Sequence, residues 1–295
     1  MIERVGLVYA DQEDTQALVP EFEAAIKEAG REVWATAAWD DNLDGQIEGT
    51  DLLICLGGDG TVLRAARSAA THDAAILGVN MGRLGFLTEL SPHDAINILP
   101  DILSGAAGRI EDRLMLRAEV LGPVAGTPPA PGEGPYHALN DIVLGRAGIG
   151  RPTYIQATVD GARLASFRAD AVIVSTPTGS TAYNMSAGGP ILAPELKAIV
   201  VTPVAPHLSL GKALVLSGAA QLELRVAHDH EAVMNVDGQG ELQLASGAGV
   251  RITTSEHVAR LMRVAEPSEF YLHLSTRLDS LTSRTLQRLS REELT

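Results

Sequence analysis

A buried strand, a glycine turn and a helix follow one another without a spare residue between Asp51 and Ala70. The apolar run Asp51–Leu56 (DLLICL) passes through Gly57-Gly58-Asp59-Gly60 into the alanine-rich stretch Thr61–Ala70 (TVLRAARSAA). An apolar run of this length bounded by glycines reads as a buried strand, and the alanine-rich stretch as a helix. Where such a turn opens a helix, backbone N–H groups converge and the helix dipole favours an anion. Glycines let the main chain approach a ligand closely. A carboxylate there would be repelled by bound phosphate unless it has a task. The tasks open to Asp59 are taking a proton from an attacking hydroxyl or holding a magnesium ion. The alternative is a tight turn in which Asp59 only caps the helix.

The same alternation extends over the first third of the chain. Val5–Ala10, Glu32–Thr36 and Ala75–Val79 read as strands. Leu18, Phe22, Ala25, Ile26 and Ala29 recur at helical spacing up to Gly30, with Pro20 at the start or at a kink. Ser91-Pro92 opens a helix to about Leu103. Alternating strands and helices imply a parallel sheet covered by helices. After about residue 110 the runs become short, β-rich and punctuated by Gly, Pro or Asp, which indicates a second, β-rich domain. The expected division is an α/β domain over 1–110, a β-rich domain over 111–266, and a helical segment, 267–295, packing back on the first. The proline- and glycine-rich stretch Leu121–Pro135 reads as a mobile surface loop.

Composition removes several classes. A formal net charge of −14 disfavours nucleic acid and anionic membranes as partners. Cys55 is the single cysteine, so no intrachain disulfide forms. No stretch approaches the roughly 20 apolar residues of a membrane span, and the first residues, MIERVGLVYA, read as a strand rather than a signal peptide. A cytoplasmic protein is the expectation.

Further motifs follow the glycine turn. Asn80–Thr88 (NMGRLGFLT) succeeds a strand and should lie near Asp59 at the carboxyl edge of the sheet, where open α/β sheets bind ligands. Arg83 is suited to phosphate, and Phe86 either to stacking on a base or to the core. In Asp170–Tyr183 (DAVIVSTPTGSTAY) a strand enters a turn whose hydroxyls suit phosphates and ribose, or else cap a short helix. Tyr183 adds a flat face with a polar tip. Asn140-Asp141, Arg151, Arg168 and Asp237-Gly238-Gln239 are ordinary when taken singly, and Asp237-Gly238 equally suits a hairpin turn. His228-Asp229-His230 looks like an exposed turn, with a metal site as the minor alternative. Walker-type, G-x-S-x-G and H-E-x-x-H strings are absent from the sequence.

Taken together, GGDGT at 57–61, NMGRLGFL at 80–87, Asn140-Asp141, DAVIVSTPTGSTAY at 170–183, SAGGP at 186–190, Thr202-Pro203 with Pro206-His207, and Asp237-Gly238-Gln239 resemble the NAD kinase family in order and rough spacing. GGDGT alone is shared with lipid kinases of the diacylglycerol type; the TPTGSTAY and LGFL segments make the resemblance specific. It implies an α/β domain followed by a β-rich one. It also implies transfer of the terminal phosphate of ATP or polyphosphate to the adenosine ribose 2′-hydroxyl of NAD(H), giving NADP(H). Asp59 would be the base, and Mg²⁺ would bridge the donor phosphates, with Asp59 as a candidate ligand.

The resemblance places Gly57, Gly58 and Gly60 at phosphate, and Arg64, Arg83 and Phe86 beside the nucleotides. Asn140 and Asp141 would bind the dinucleotide; many relatives have Glu in the second place. Arg151 and Arg168 would lie near its phosphates, many relatives having Lys at the latter. Asp170 would bind the nicotinamide end, with Thr181, Ala182, Tyr183, Ser186, Ala205 and Gln239 completing the pocket. A homodimer or homotetramer is expected. The competing readings are a lipid kinase and a non-catalytic NAD(P)-binding regulator. The first lacks a basic or amphipathic membrane-facing stretch; the second leaves Asp59 without a task.

Overall fold

The computed structural model describes residues 2–40, 42–82, 85–122, 134–148, 152–207, 210–227 and 231–279. The chain divides into two compact units. One contains residues up to 65, 74–111 and those from 261 onward; the other contains 66–73 and 112–260.

The first unit is built on four parallel strands: β1 (Arg4–Tyr9), β2 (Glu32–Ala37), β3 (Leu52–Gly57) and β4 (Ala75–Asn80), in the order β2-β1-β3-β4. Two short helical turns, α1 (Glu13–Gln16) and α3 (Leu43–Gln46), lie in the connections. The longer helices are α2 (Val19–Glu28), α4 (Asp59–Ala70) and α5 (Pro92–Ser104). All six residues of β3 are buried, which is why DLLICL shows no polar alternation: both faces of a covered parallel sheet are apolar. Pro20 sits in the first turn of α2, where a missing N–H breaks no helical bond. The Ser91 side chain caps α5 by accepting from Asp94 N–H, and Gly105 ends it at φ 82°. Phe22 and Ile26 of α2 and Leu99 and Ile102 of α5 close over Leu7, Ile54, Leu56 and Leu77 of the sheet. Each such burial stabilises by about 1.5–3 kcal/mol. The chain turns back beside β1 and β3, so the glycine turn leaves β3 where strand order reverses, the usual ligand position of an open α/β sheet. Cys55 is buried in β3, and burial pushes its thiol up, keeping it protonated.

The second unit is β-rich. Its elements are β5 (Arg109–Leu121), β6 (Tyr136–Ala138), β7 (Asp141–Arg146), β8 (Thr153–Val159), β9 (Ala162–Ala169), β10 (Ala171–Ser175), the short helix α6 (Tyr183–Ser186), β11 (Ala198–Val204), β12 (Leu214–Ser217), β13 (Leu222–Val226), β14 (Ala232–Val236), β15 (Gln239–Leu244) and β16 (Gly249–Arg263). One sheet runs β12-β11-β10-β7-β14-β15. In the other, β13 lies between β16 and β8, β9 continues from β8, and β5 pairs with β16 and β6. Alternating residues turn inward: Ile155, Phe167, Leu222 and Val250 from one sheet share a core with Ile142, Leu144, Val172 and Val201 from the other. The loop expected over Leu121–Pro135 lies largely outside the described residues, as does the 228–230 turn. Among the described residues no helix is long and apolar enough to cross a membrane.

Candidate functional site

In the first unit the glycine turn is formed tightly. A β-carbon on buried Gly57 would come within 2.2 Å of Thr61 Oγ1, because the first turn of α4 folds back over it. Around Gly58 and Gly60 the space is open: a β-carbon there would meet nothing within 4 Å, and both residues are exposed. Helix α4 begins at Asp59, two residues earlier than the sequence pattern suggests. The half-buried Asp59 carboxylate is gripped from outside its own helix. Oδ2 accepts from Phe86 N–H at 3.0 Å and Oδ1 from Leu87 N–H at 3.0 Å. Each carboxylate oxygen has two acceptor positions, so one N–H on each leaves capacity on both. The 80–88 segment is thus brought to Asp59, but by its backbone. Asn80 bonds within its own turn, to the carbonyl and N–H of Gly82. Arg64 donates to the Ala38 carbonyl at 3.2 Å. Arg83 lies outside the described residues. The Phe86 ring packs against Phe270 and lies beneath the Arg277 guanidinium.

In the second unit a pocket of about 490 Å³ is lined by Asn140, Asp141, Ala182, Tyr183, Asn235 and Asp237, with Glu241 at its side. That volume suits a nucleotide-sized ligand. Its wall is set by Asp237. This residue and Gly238 form the two-residue turn between β14 and β15, both with positive φ, 52° and 71°, as a tight hairpin requires. The backbone is therefore the plain hairpin turn, yet the side chain is not idle. The Asp237 carboxylate accepts from the N–H groups of Leu139, Asn140 and Asp141 at 2.8, 2.7 and 3.0 Å. Gln239 Oε1 accepts from Arg67 Nη1 at 3.1 Å.

The turn after β10 forms the other wall. Its hydroxyls face inward: Thr176 Oγ1 donates to Leu139 O at 2.6 Å, Ser180 Oγ to Pro177 O at 2.6 Å, and Thr181 Oγ1 to Thr178 O at 3.2 Å. They hold the turn rather than present themselves to a ligand. Gly179 lies so close to Asn140 that a β-carbon would fall 2.0 Å from its carbonyl oxygen. Buried Asn184 donates to Ser180 O and Pro190 O and accepts from Thr202, fixing α6 beneath exposed Tyr183. Of the other expected residues, Asp170 pairs with Arg146 at 3.4 Å, and Arg168 lies over the Tyr154 ring at 5.5 Å. Ser186 and Ala205 are exposed, the latter at φ 45°. None of these four lines the pocket, and Arg151 lies outside the described residues.

Asn235, Glu241 and the role of Asp237 escaped the sequence reading. The sequence signal for Asp237 was the DG hairpin turn alone; the structure adds that its side chain meets three backbone N–H groups.

Two acidic groups meet in this pocket. Burial first, and then the charge of Asp237, push Asp141 up to about 7. Burial also raises Asp237, against three backbone N–H groups and Arg67 that favour its charge. Those bonds favour the ionised form of Asp237, and its charge in turn favours the protonated form of Asp141. The Asp141 shift is upward, so its contribution to stability is full below about pH 4 and is lost as pH rises through about 7. Asp141→Asn is therefore expected to stabilise the protein relative to wild type, increasingly between pH 4 and 7, by at most about 1.4 kcal/mol per pH unit. Urea melts at pH 5 and pH 8 measure this, and a difference that does not grow between them would refute it.

One further group of metal-ligand types, His137, Glu256 and His257, has donor atoms within 4.8 Å of one another. The Arg117 guanidinium stands 3.8 Å from the Glu256 carboxylate and places a positive charge beside it.

Known proteins resemble this chain over most of its length. Residues 4–107 match the ATP-NAD kinase N-terminal domain and residues 139–264 the ATP-NAD kinase C-terminal domain. The NAD kinase of Dehalococcoides mccartyi strain CBDB1 is 35% identical over 280 residues, covering 94% of this chain and 96% of that protein. The NAD kinase of Heliobacterium modesticaldum is 41% identical over 221 residues, 75% and 76% of the two chains. The crystal structure of an NAD kinase from Archaeoglobus fulgidus in complex with ATP superposes with a TM-score of 0.72 at 26% identity, over 90% of this chain and 95% of that one. Yeast NADH kinase complexed with NADH shares the fold, with a TM-score of 0.79 at 24% identity over 94% and 88%. The two domain matches place the chain among phosphotransferases acting on nucleotides. The chain belongs to the NAD kinase family and is an enzyme that phosphorylates NAD.

Proposed function

We propose that the enzyme transfers the terminal phosphate of ATP, or of polyphosphate, to the adenosine ribose 2′-hydroxyl of NAD(H), with Asp59 accepting the hydroxyl proton. The observation that carries this reading is the Asp59 carboxylate, held by two backbone N–H groups beside the open, exposed backbone of Gly58 and Gly60. Phosphoryl transfer depends on positioning and charge neutralisation more than on covalent chemistry. A fixed carboxylate beside exposed glycine backbone at a helix start meets both needs. Mg²⁺ fits this setting, because it is held by one or two carboxylates together with donor phosphates, and Asp59 retains free acceptor positions. When bound, it neutralises charge on the donor phosphates.

Asn140 and Asp141 would hold the dinucleotide in the second-unit pocket, with Tyr183 at its rim. A neutral Asp141 offers an O–H donor to an acceptor on that ligand. Arg64, Arg83, Arg151, Arg168, Asp170, Ser186, Ala205 and Gln239 enter this reading through the family resemblance. So do a cytoplasmic location and a dimeric or tetrameric assembly.

The test is a coupled assay. Purified protein with NAD, Mg²⁺ and ATP should form NADP⁺, detected by an NADP-specific dehydrogenase, with parallel reactions containing polyphosphate or NADH. Omission of Mg²⁺ should abolish turnover. Binding of NAD without product from either donor would favour a regulator instead, and phosphorylation of a diacylglycerol or sphingoid base would favour a lipid kinase.

A further inference from the structure

The carboxylate of Asp59 is held by three consecutive residues, and what holds those residues is unusual. Gly85 lies flat against the carboxylate: a β-carbon there would sit 2.0 Å from Oδ1, 2.5 Å from Cγ and 2.7 Å from Oδ2. Phe86 and Leu87 then give one N–H to each oxygen. Two parallel N–H bonds fix the plane of a carboxylate as well as its position. The orientation of Asp59 is thus only as firm as the 85–87 backbone.

That backbone has two anchors. On one side Leu87 and Thr88 are buried, and Gly78 of β4 approaches so closely that a β-carbon on it would meet the Leu87 carbonyl oxygen at 2.6 Å. On the other side the anchor is the side chain of Phe86. Its ring packs on Phe270, with centroids 6.0 Å apart and planes tilted by 48°, and the Arg277 guanidinium carbon lies 5.1 Å from its centroid. Both geometries are attractive, a tilted aromatic pair and a cation over a ring face. Phe270 and Arg277 belong to a terminal helix over residues 269–279. They are spaced seven residues apart and so share one face of it. The family match to the C-terminal domain ends at residue 264, before this helix begins.

We propose that the terminal helix, through Phe270 and Arg277 on the ring of Phe86, braces the 85–87 backbone and thereby sets the orientation of Asp59. Phe86 and Phe270 are positioning residues: neither needs to touch substrate for this role. Small displacements of a reacting group are expensive in rate, an ångström costing up to about 10²-fold. Loss of one of two anchors is therefore expected to lower kcat about tenfold and to leave KM for NAD within about twofold, because Asp59 acts in the transition state rather than in ground-state binding. The inference rests on Asp59 being the base, and the experiment separates the two.

Phe270→Ala, Arg277→Ala and Gly85→Ala are made in the full chain, each alone and in an Asp59→Asn background, with Phe270→Leu as the conservative variant. Folding is checked by thermal melting, and steady-state kcat and KM are measured. The expected result is a drop in kcat for Phe270→Ala and a larger one for Gly85→Ala, partial rescue by Phe270→Leu, and no further loss from any of them once Asp59 is Asn. Such non-additivity marks residues acting through one group. If Phe270→Ala does not fold, Arg277→Ala, which removes the cation over the ring, reads the same brace. Unchanged kcat in Phe270→Ala or Arg277→Ala overturns the proposal. So does the same fold-loss in the Asp59→Asn background. A rise in kcat also overturns it, since the helix would then be obstructing Phe86. Near wild-type turnover in Asp59→Asn alone would instead sink the base assignment, whatever the helix variants show.

Discussion

Asp59→Asn should lower kcat for NADP⁺ formation by roughly 10²-fold or more, the scale on which removal of a positioned general base is felt. The substitution keeps the size of the side chain and removes its ability to take a proton. It also disturbs the grip on the side chain. Asp59 receives one N–H on each oxygen, whereas an amide presents one acceptor and one donor group, so one of the two N–H groups must face another donor. Both effects act on the reacting geometry, and neither removes a contact in the second-unit pocket. The loss should therefore appear in kcat, with binding of NAD near that of wild type by calorimetry. Turnover within about threefold of wild type would take Asp59 out of the chemistry. Asp59→Glu should do no better, because the longer side chain has no room beneath Gly85, where even a β-carbon on that glycine would lie 2.0 Å from the present carboxylate.

The second large effect is expected on stability. Asp237→Ala would leave the N–H groups of Leu139, Asn140 and Asp141 without the acceptor they share. A buried donor left unpaired costs about 1–3 kcal/mol. Alanine at the positive φ of this turn adds about 1 kcal/mol. Against this, the burial penalty of the Asp237 charge disappears, and so does its repulsion of Asp141. The net loss should be on the order of 3 kcal/mol, lowering the melting temperature by roughly 10 °C. Since Asn140 and Asp141 line the pocket, NAD binding should weaken with it. The same variant should bring the Asp141 carboxyl down from about 7, which carbon-detected NMR titration of that side chain would show. Melting within about 2 °C of wild type would mean that the three N–H groups find other acceptors.

The local pattern of the chain was legible because it is local physics. Five apolar residues running into a glycine turn read as an interior strand, and Ser91-Pro92 reads as a helix start, so β3, α4 and α5 followed from residues 51–104 alone. The order of the motifs from GGDGT to Asp237-Gly238-Gln239 was enough to point to the NAD kinase family. What side chains do inside the motifs was not legible. The serine and threonine hydroxyls of 175–181 suited phosphate as well as they suited the carbonyls they actually meet. Asp237-Gly238 was correctly a hairpin turn and still concealed the acceptor that holds 139–141 in place. Nothing in NMGRLGFL indicated that its main chain would reach Asp59. Sequence by itself determined which segments are strand, turn and helix, because propensity and periodicity act over a few neighbours. Only the tertiary structure decided which group meets which, since pairs such as Asp59 with Phe86 and Asp237 with Asn140 are 27 and 97 residues apart. Contacts at that separation are set by the packing of whole sheets, which no short stretch of sequence encodes.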